Sequence, residues 1–321
     1  MTPSPPRSPV PRVRPGHAAS AECRWRTVRS LAFGAWRCRR LSWRPREGCS
    51  VQDQVTVMIT GCSSGFGRAA ALQFVEQGHQ VAATMRNLDS ADSLVEDARA
   101  SAGELAVIEL DVTDEDDRRS AVDQVMDRYG RLDVLVNNAG IAQFGPLEAT
   151  EPDVLRLVME TDFFAPAELM RLVLPIMRDQ GEGRIINVTS GAAHGVSAYL
   201  SAYGSAKHAL DALTATVDLE ASRFGVRVVS VVPGTFPTTG VATNVMTAPE
   251  IEPYGDGHVQ LMRALETAFA DRTDYSVVTD AIVNAATSPE PDFIALAGSE
   301  LAARTGPVIA AKQEFHTKLQ N

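Results

Sequence analysis

Short apolar runs alternate with longer amphipathic ones from Gln54 onward. Gln54–Thr60 (QVTVMIT), His79–Thr84 (HQVAAT), Leu105–Leu110 (LAVIEL), Leu132–Val136, Ile185–Val188 and Val226–Val232 (VRVVSVV) are rich in β-branched residues and too short for helices, so they predict buried strands. Between them Arg68–Gln77, Leu94–Ala100, Asp114–Tyr129, the stretch from Pro152 to about Asp179, and the stretch carrying Tyr203 and Lys207 read as helices. Pro152 suits a first helical position, whereas Pro166 and Pro175 are expected to kink or break the long helix. Val277–Ala286 reads as a further helix and Phe293–Leu296 as a last strand. Parallel strands need crossover connections, so this alternation predicts an α/β fold: a single-domain, Rossmann-like, doubly wound parallel sheet with helices on both faces.

One stretch breaks the rhythm. Pro233-Gly234-Thr235-Phe236-Pro237-Thr238 ends the sixth strand and opens an irregular segment reaching about Ala270. A loop of that length is usually functional, and a lid over substrate is expected there, with Val259, Leu261, Met262, Leu265 and Phe269 forming an apolar helical stripe.

Composition divides the chain. The first 50 residues hold 11 Arg, no Lys and two acids, Glu22 and Glu47, a charge of +9 that leaves −19 on residues 51–321. All three Trp and three of the four Cys lie in this arm, and six Pro within residues 1–15 disfavour helix and sheet. The expected organisation is a disordered basic arm, residues 1–50, translated from upstream of the true start, and a catalytic domain, residues 51–321. Binding of RNA or a membrane surface, or an organelle transit role, is the alternative for the arm. The acidity of the body argues against nucleic acid or an anionic membrane as its partner. No apolar run approaches the length of a spanning helix, and Leu31–Trp36, flanked by arginines, is too short for a secretory core. Cys62, the one body cysteine, fits a reducing, cytoplasmic setting. No metal site is expected.

The chemistry gathers at predicted strand ends. Gly61-Cys62-Ser63-Ser64-Gly65-Phe66-Gly67 joins the first strand to a helix, an arrangement in which glycines admit a diphosphate and the helix amino terminus offers free N–H groups. Past the second strand stands Arg86 rather than an acid, which favours a 2′-phosphate and hence NADP over NAD. Asp111, followed by Val112, can accept from an adenine amino group or cap the next helix, and the two roles are compatible. Asn137-Asn138-Ala139-Gly140 suits close passage of a cofactor, with Asn138 largely structural. Tyr203 and Lys207, four apart on a helix, share a face, so the ammonium should favour the phenolate, and Ser190 at a strand end can reach the same substrate oxygen.

Together Thr60-Gly-x-x-x-Gly65-x-Gly67, Asn137-Asn-Ala-Gly140, Ser190, Tyr203, Lys207 and Pro233-Gly234 resemble the short-chain dehydrogenases/reductases, in their single-domain branch. The resemblance implies that Tyr203 moves the proton, Ser190 orients the carbonyl or alcohol, and Lys207 holds the nicotinamide ribose and depresses the tyrosine pKa. It also implies cofactor contacts from Gly61, Ser63, Ser64, Gly65, Phe66, Gly67, Arg86, Asp111, Val112, Asn138, Ala139, Gly140, Tyr203, Lys207, Pro233, Gly234 and Thr235. The expected activity is NADP-dependent interconversion of a secondary alcohol and a ketone on a moderately apolar small molecule, in a homo-oligomer. The alternative is a catalytically silent NADP(H)-binding sensor of the same fold. One position departs from the family: Thr161-Asp162-Phe163-Phe164-Ala165 carries an aspartate where an asparagine is usual. Either the Asp162 backbone carbonyl keeps a relay water, or its carboxylate faces Lys207 and weakens the lysine's pull on Tyr203. Phe144, His194, Val196, Tyr199 and Phe236 are candidates for the substrate wall, core packing being the other reading of each.

Overall fold

The structure, a computed structural model, describes residues 54–234, 245–255, 257, 259–261, 263 and 276–320. The expectations for the arm, for Thr235 and Phe236, and for most of the lid stripe lie outside these residues.

Seven parallel strands form the sheet: β1 (Thr56–Ile59), β2 (Gln80–Met85), β3 (Glu104–Glu109), β4 (Val134–Asn137), β6 (Gly183–Val188), β7 (Val226–Pro233) and β9 (Ile294–Ala297), in the order β3-β2-β1-β4-β6-β7-β9. Two further strands, β5 (Ala142–Phe144) and β8 (Val245–Thr247), pair in parallel with each other outside the sheet. Among the described residues the α-helices are α1 (Gly65–Glu76), α2 (Asp92–Ala98), α3 (Glu115–Tyr129), α4 (Pro152–Met159), α5 (Ala165–Gln180), α6 (Ser201–Ala221), α7 (Ser276–Thr287) and α8 (Ser299–Gln320).

Burial on both faces explains the continuous apolar strands. Val57 and Ile59 pack beneath Phe74 of α1, Leu94 of α2 and Ile282 of α7, whereas Met58 between them faces the opposite layer with Val122 of α3, Leu169 of α5 and Leu210 of α6. Fully burying each such side chain contributes roughly 1.5–3 kcal/mol. Strand order reverses between β1 and β4, leaving a crevice at their carboxyl ends, where ligands bind in sheets of this kind.

The helix expected from Pro152 to Asp179 is broken at a different place. A π-turn, Glu160–Phe164, separates α4 from α5, so the break precedes Pro166, while Pro175 is carried within α5. Helix α1 begins at Gly65, three residues ahead of the expected start, because the glycine turn itself enters the helix. Not foreseen were β5, β8 and α8. The last docks through Ile309, buried against Val232, Phe293 and Ile294, and through polar groups: buried Asp218 of α6 accepts from His316 Nε2 (2.8 Å) and Gln320 Nε2 (2.7 Å) of α8 as well as from Arg227 Nε (2.9 Å) and Val228 N (2.8 Å) of β7. The His316 ring stacks on Phe293, centroids 4.0 Å apart. Among the described residues no helix is long and apolar enough to cross a membrane.

Candidate active site

The turn from β1 into α1 is built for close approach. Gly61 has φ +73°, and a Cβ there would stand 2.9 Å from Ala139 Cα; one on Gly67 would stand 2.4 Å from both Asn138 Nδ2 and Gly61 O. Only glycine fits either place. Asn138 Nδ2 donates to Thr60 O (2.8 Å) and Gly61 O (3.2 Å), while Thr60 Oγ1 accepts from Asn138 N and Ala139 N, so Asn138 braces the turn. Ser64, half-buried, precedes α1 without capping it, and Ser63 is exposed; the first-turn N–H groups of α1 receive no side-chain cap. An uncapped helix terminus beneath a glycine cradle fits the diphosphate of a dinucleotide. Phe66 turns inward as core.

At the neighbouring strand ends, Arg86 is exposed immediately after β2. Asp111, half-buried, uses Oδ1 on Thr113 N (2.9 Å) and Thr113 Oγ1 (2.7 Å). The cap of α3 is Asp114, whose Oδ1 accepts from Asp116 N and Asp117 N, so Asp111 does not take the capping place open to it in the sequence. Val112 is buried core. Pro233 closes β7 and Gly234 N donates to Ala297 O (2.9 Å).

Ser190, Tyr203, Lys207 and Asp162 converge from β6, α6 and the π-turn. Lys207 is buried with Nζ 3.2 Å from Val188 O, 3.1 Å from Asp162 Oδ2 and 5.7 Å from the Tyr203 ring centroid. Asp162 is fully buried; its Oδ1 accepts from Ile141 N (2.9 Å), and a Cβ on Gly140 would come within 3.2 Å of its Oδ2. The Asp162 carboxylate thus faces Lys207, one of the two arrangements expected for it. Oδ2 lies at ion-pair distance without hydrogen-bond alignment.

Burial works against the Lys207 ammonium, but the Asp162 carboxylate and Tyr203 outweigh it and leave the lysine above its ordinary value. Burial likewise raises Asp162, against the pull of Lys207 and the Ile141 N–H. A lysine that holds its proton at this distance favours the carboxylate, so the two are read as an ion pair. The expected depression of Tyr203 is not the net result. Burial raises the phenol, Lys207 pulls it down, Asp162 adds to the rise and a hydrogen-bonding contact with Ser190 lowers it, the sum lying above the ordinary tyrosine value. Ser190 Oγ also accepts from Ala192 N (3.1 Å), which sets its direction.

The wall candidates separate. Phe144 is buried on β5, and Val196 is 95 % exposed. His194 turns inward, between Asp211 of α6 and Lys312 of α8, rather than toward the crevice. Tyr199 is the one described non-glycine residue with positive φ, +68°, a conformation held against strain of about 1 kcal/mol or more. Its hydroxyl reaches the Gly257 position, where a Cβ would stand 2.0 Å away. Asp211 went unnoticed in the sequence; its place four residues after Lys207, on one helix face, was the available signal.

The short chain dehydrogenase family pattern matches residues 55–249. A 3-ketodihydrosphingosine reductase of Bacteroides thetaiotaomicron is 33 % identical over 220 residues, 67 % of this chain and 77 % of that one. Among solved structures, a short-chain dehydrogenase from Streptomyces avermitilis superposes with TM-score 0.73 at 32 % identity, covering 83 % of this chain and 96 % of the other. A short chain dehydrogenase/reductase from Burkholderia phymatum, in complex with NAD, shares the fold at 23 % identity, TM-score 0.71, covering 84 % and 97 %. The glycine turn at the sheet crevice, the convergent serine, tyrosine and lysine, and these likenesses lead to one conclusion: the chain belongs to the short-chain dehydrogenase/reductase family of oxidoreductases.

Proposed function

We propose that the protein interconverts a ketone and a secondary alcohol on a moderately apolar small molecule, with NADP(H) as cofactor. The observation that carries this reading is the convergence of Ser190, Tyr203 and Lys207 beside the glycine turn. Bound NADPH supplies the hydride. Ser190 holds the carbonyl oxygen, and Tyr203 gives that oxygen its proton as the alcohol forms. Lys207 holds the ribose and stabilises the phenolate left behind, while the Asp162 carboxylate tempers that stabilisation. Gly61, Ser63, Ser64, Gly65 and Gly67 would carry the diphosphate, Arg86 a 2′-phosphate, Asp111 the adenine, and Ala139, Gly140 and Gly234 the passage across the sheet edge.

NADP rests on Arg86, which is exposed and makes no ion pair with a described residue. The Burkholderia phymatum relative holds NAD, so the assay must compare both dinucleotides. A homo-oligomer is supported by Leu157 and Phe164, apolar and exposed along α4 and the π-turn. Cytoplasmic placement, and residues 51–321 as the catalytic unit with residues 1–50 as a separate arm, rest on composition alone. The test is a screen of purified protein against steroids, retinoids, sugars and acyl ketones with NADP and NAD. Turnover abolished by Tyr203→Phe, with dinucleotide binding kept, supports the reading; binding without turnover on any of them favours the silent sensor.

A further inference from the structure

Beneath the serine loop lies a second charge cluster that the proposed chemistry does not use, with Asp211 and His194 buried and the Lys312 side chain 41 % exposed. Asp211 of α6, 4 % exposed, accepts from Lys312 Nζ of α8 (2.9 Å) through Oδ2 and from Ser230 Oγ (3.1 Å) through Oδ1. The Ser230 hydroxyl in turn meets Thr189 Oγ1 at 2.9 Å, and Thr189 immediately precedes Ser190. On the far side of Ser190, His194 closes the turn Gly191–Ala193 by donating its N–H to Gly191 O (3.1 Å). The His194 ring stands with Nε2 3.5 Å from Asp211 Oδ1 and Nδ1 3.3 Å from Lys312 Nζ. One end of the loop carrying Ser190 is thus linked to Asp211 through Ser230, the other sets His194 Nε2 at 3.5 Å from the same carboxylate without a hydrogen bond, and the lysine partner of Asp211 comes from the last helix.

An ammonium at 3.3 Å has protons to donate and none to accept, so Nδ1 must be the unprotonated nitrogen and Nε2 the N–H facing Asp211. Lys312 thus selects one neutral tautomer. Its loss would leave a buried carboxylate beside an imidazole free to take a proton, and an imidazolium would close the 3.5 Å gap and drag the turn with it. We propose that Lys312 is a positioning residue for the reaction, acting through Asp211 and His194 to fix the loop from Thr189 to His194 and so the direction of the Ser190 hydroxyl. The inference rests on the proposed reading of Ser190. Its support from electrostatics is consistent in sign: burial lowers His194, Asp211 opposes this, and Lys312 and His208 add to it.

Lys312→Met and Lys312→Arg, in the full chain, separate the possibilities. The His194 ring and the amides of residues 191–194 are followed by NMR against pH without cofactor, assigned with His194→Asn; kcat and KM are measured alongside. With Lys312→Met the His194 pKa should rise by about one unit as a neighbouring like charge disappears, the loop amides should move, and kcat should fall about tenfold with the dinucleotide KM unchanged. Lys312→Arg should restore all three. Loop amides and a His194 titration indifferent to Lys312→Met overturn the proposal, as does an unchanged kcat once those signals have moved. If no substrate turns over in the wild type, the functional reading fails while the NMR comparison still decides whether Lys312 governs the loop. Lys312→Gln carries the same comparison should the methionine variant not fold.

Discussion

Asp162 Oδ2 lies 3.1 Å from Lys207 Nζ, with both side chains shut away from solvent. Because Asp162 raises the Tyr203 phenol, Asp162→Asn removes that contribution and the tyrosine pKa should fall. The base form needed for alcohol oxidation then appears at lower pH, and the midpoint of the kcat profile for oxidation should move down by about one unit. A midpoint that stays in place removes Asp162 from the account.

Arg86→Ala tests the cofactor. Loss of a charge-assisted contact of roughly 1.5–3 kcal/mol should raise KM for NADP about tenfold or more and leave NAD nearly unchanged. Equal changes for both dinucleotides would place Arg86 outside the ribose pocket.

Gly67→Ala and Gly130→Ala make an informative pair. A Cβ at 67 meets backbone at 2.4 Å, and the turn must shift, at about 1–3 kcal/mol. At 130 it meets nothing within 4 Å, and only the backbone conformation, φ +71°, is penalised, by about 1–2 kcal/mol. Chemical denaturation should show both losses, but dinucleotide titration should show weakened binding for Gly67→Ala alone.

Asp218 links stability to acid. Burial pushes its carboxyl up, yet His316, Arg227 and the Val228 N–H together hold it below the ordinary value. Its folded pKa is thus below its unfolded one, so its stabilisation is complete above the ordinary carboxylate range and is lost as pH falls through the folded value. Asp218→Asn should cost about 3–5 kcal/mol at pH 7, a gap that narrows below about pH 4 in urea titrations. A constant gap would mean that the carboxyl does not titrate differently in the two states.

Cys62 sits in the glycine turn with its thiol pushed up by burial to about 12, only partly offset by a backbone hydrogen bond at Thr84. Iodoacetamide at pH 8 should leave it untouched in the folded protein and alkylate it in urea, as mass spectrometry of its peptide can show.

Much of this molecule is legible in its chain. Val57, Met58 and Ile59 face alternate buried layers, so their strand appears as an unbroken apolar run, and the glycine turn keeps its register because bulkier residues collide with Ala139 and Asn138. Helix α8 was hidden for the opposite reason. Its docking face joins one buried apolar residue, Ile309, to Lys312, His316 and Gln320 set against Asp211 and Asp218, so polar groups mark most of the inside, and Gly306 and Pro307 interrupt the pattern. Strands β5 and β8, three residues each, are too short to show a period. The side taken by Asp162 depended on the π-turn, which follows from no local residue preference.

The clasp of β5 with β8 and the bond from Gly234 N to Ala297 O anchor the chain on either side of the ten residues 235–244. The two tethers rest on different strand pairs, so a change that loosens β8 from β5 leaves the bond between Gly234 and Ala297 in place.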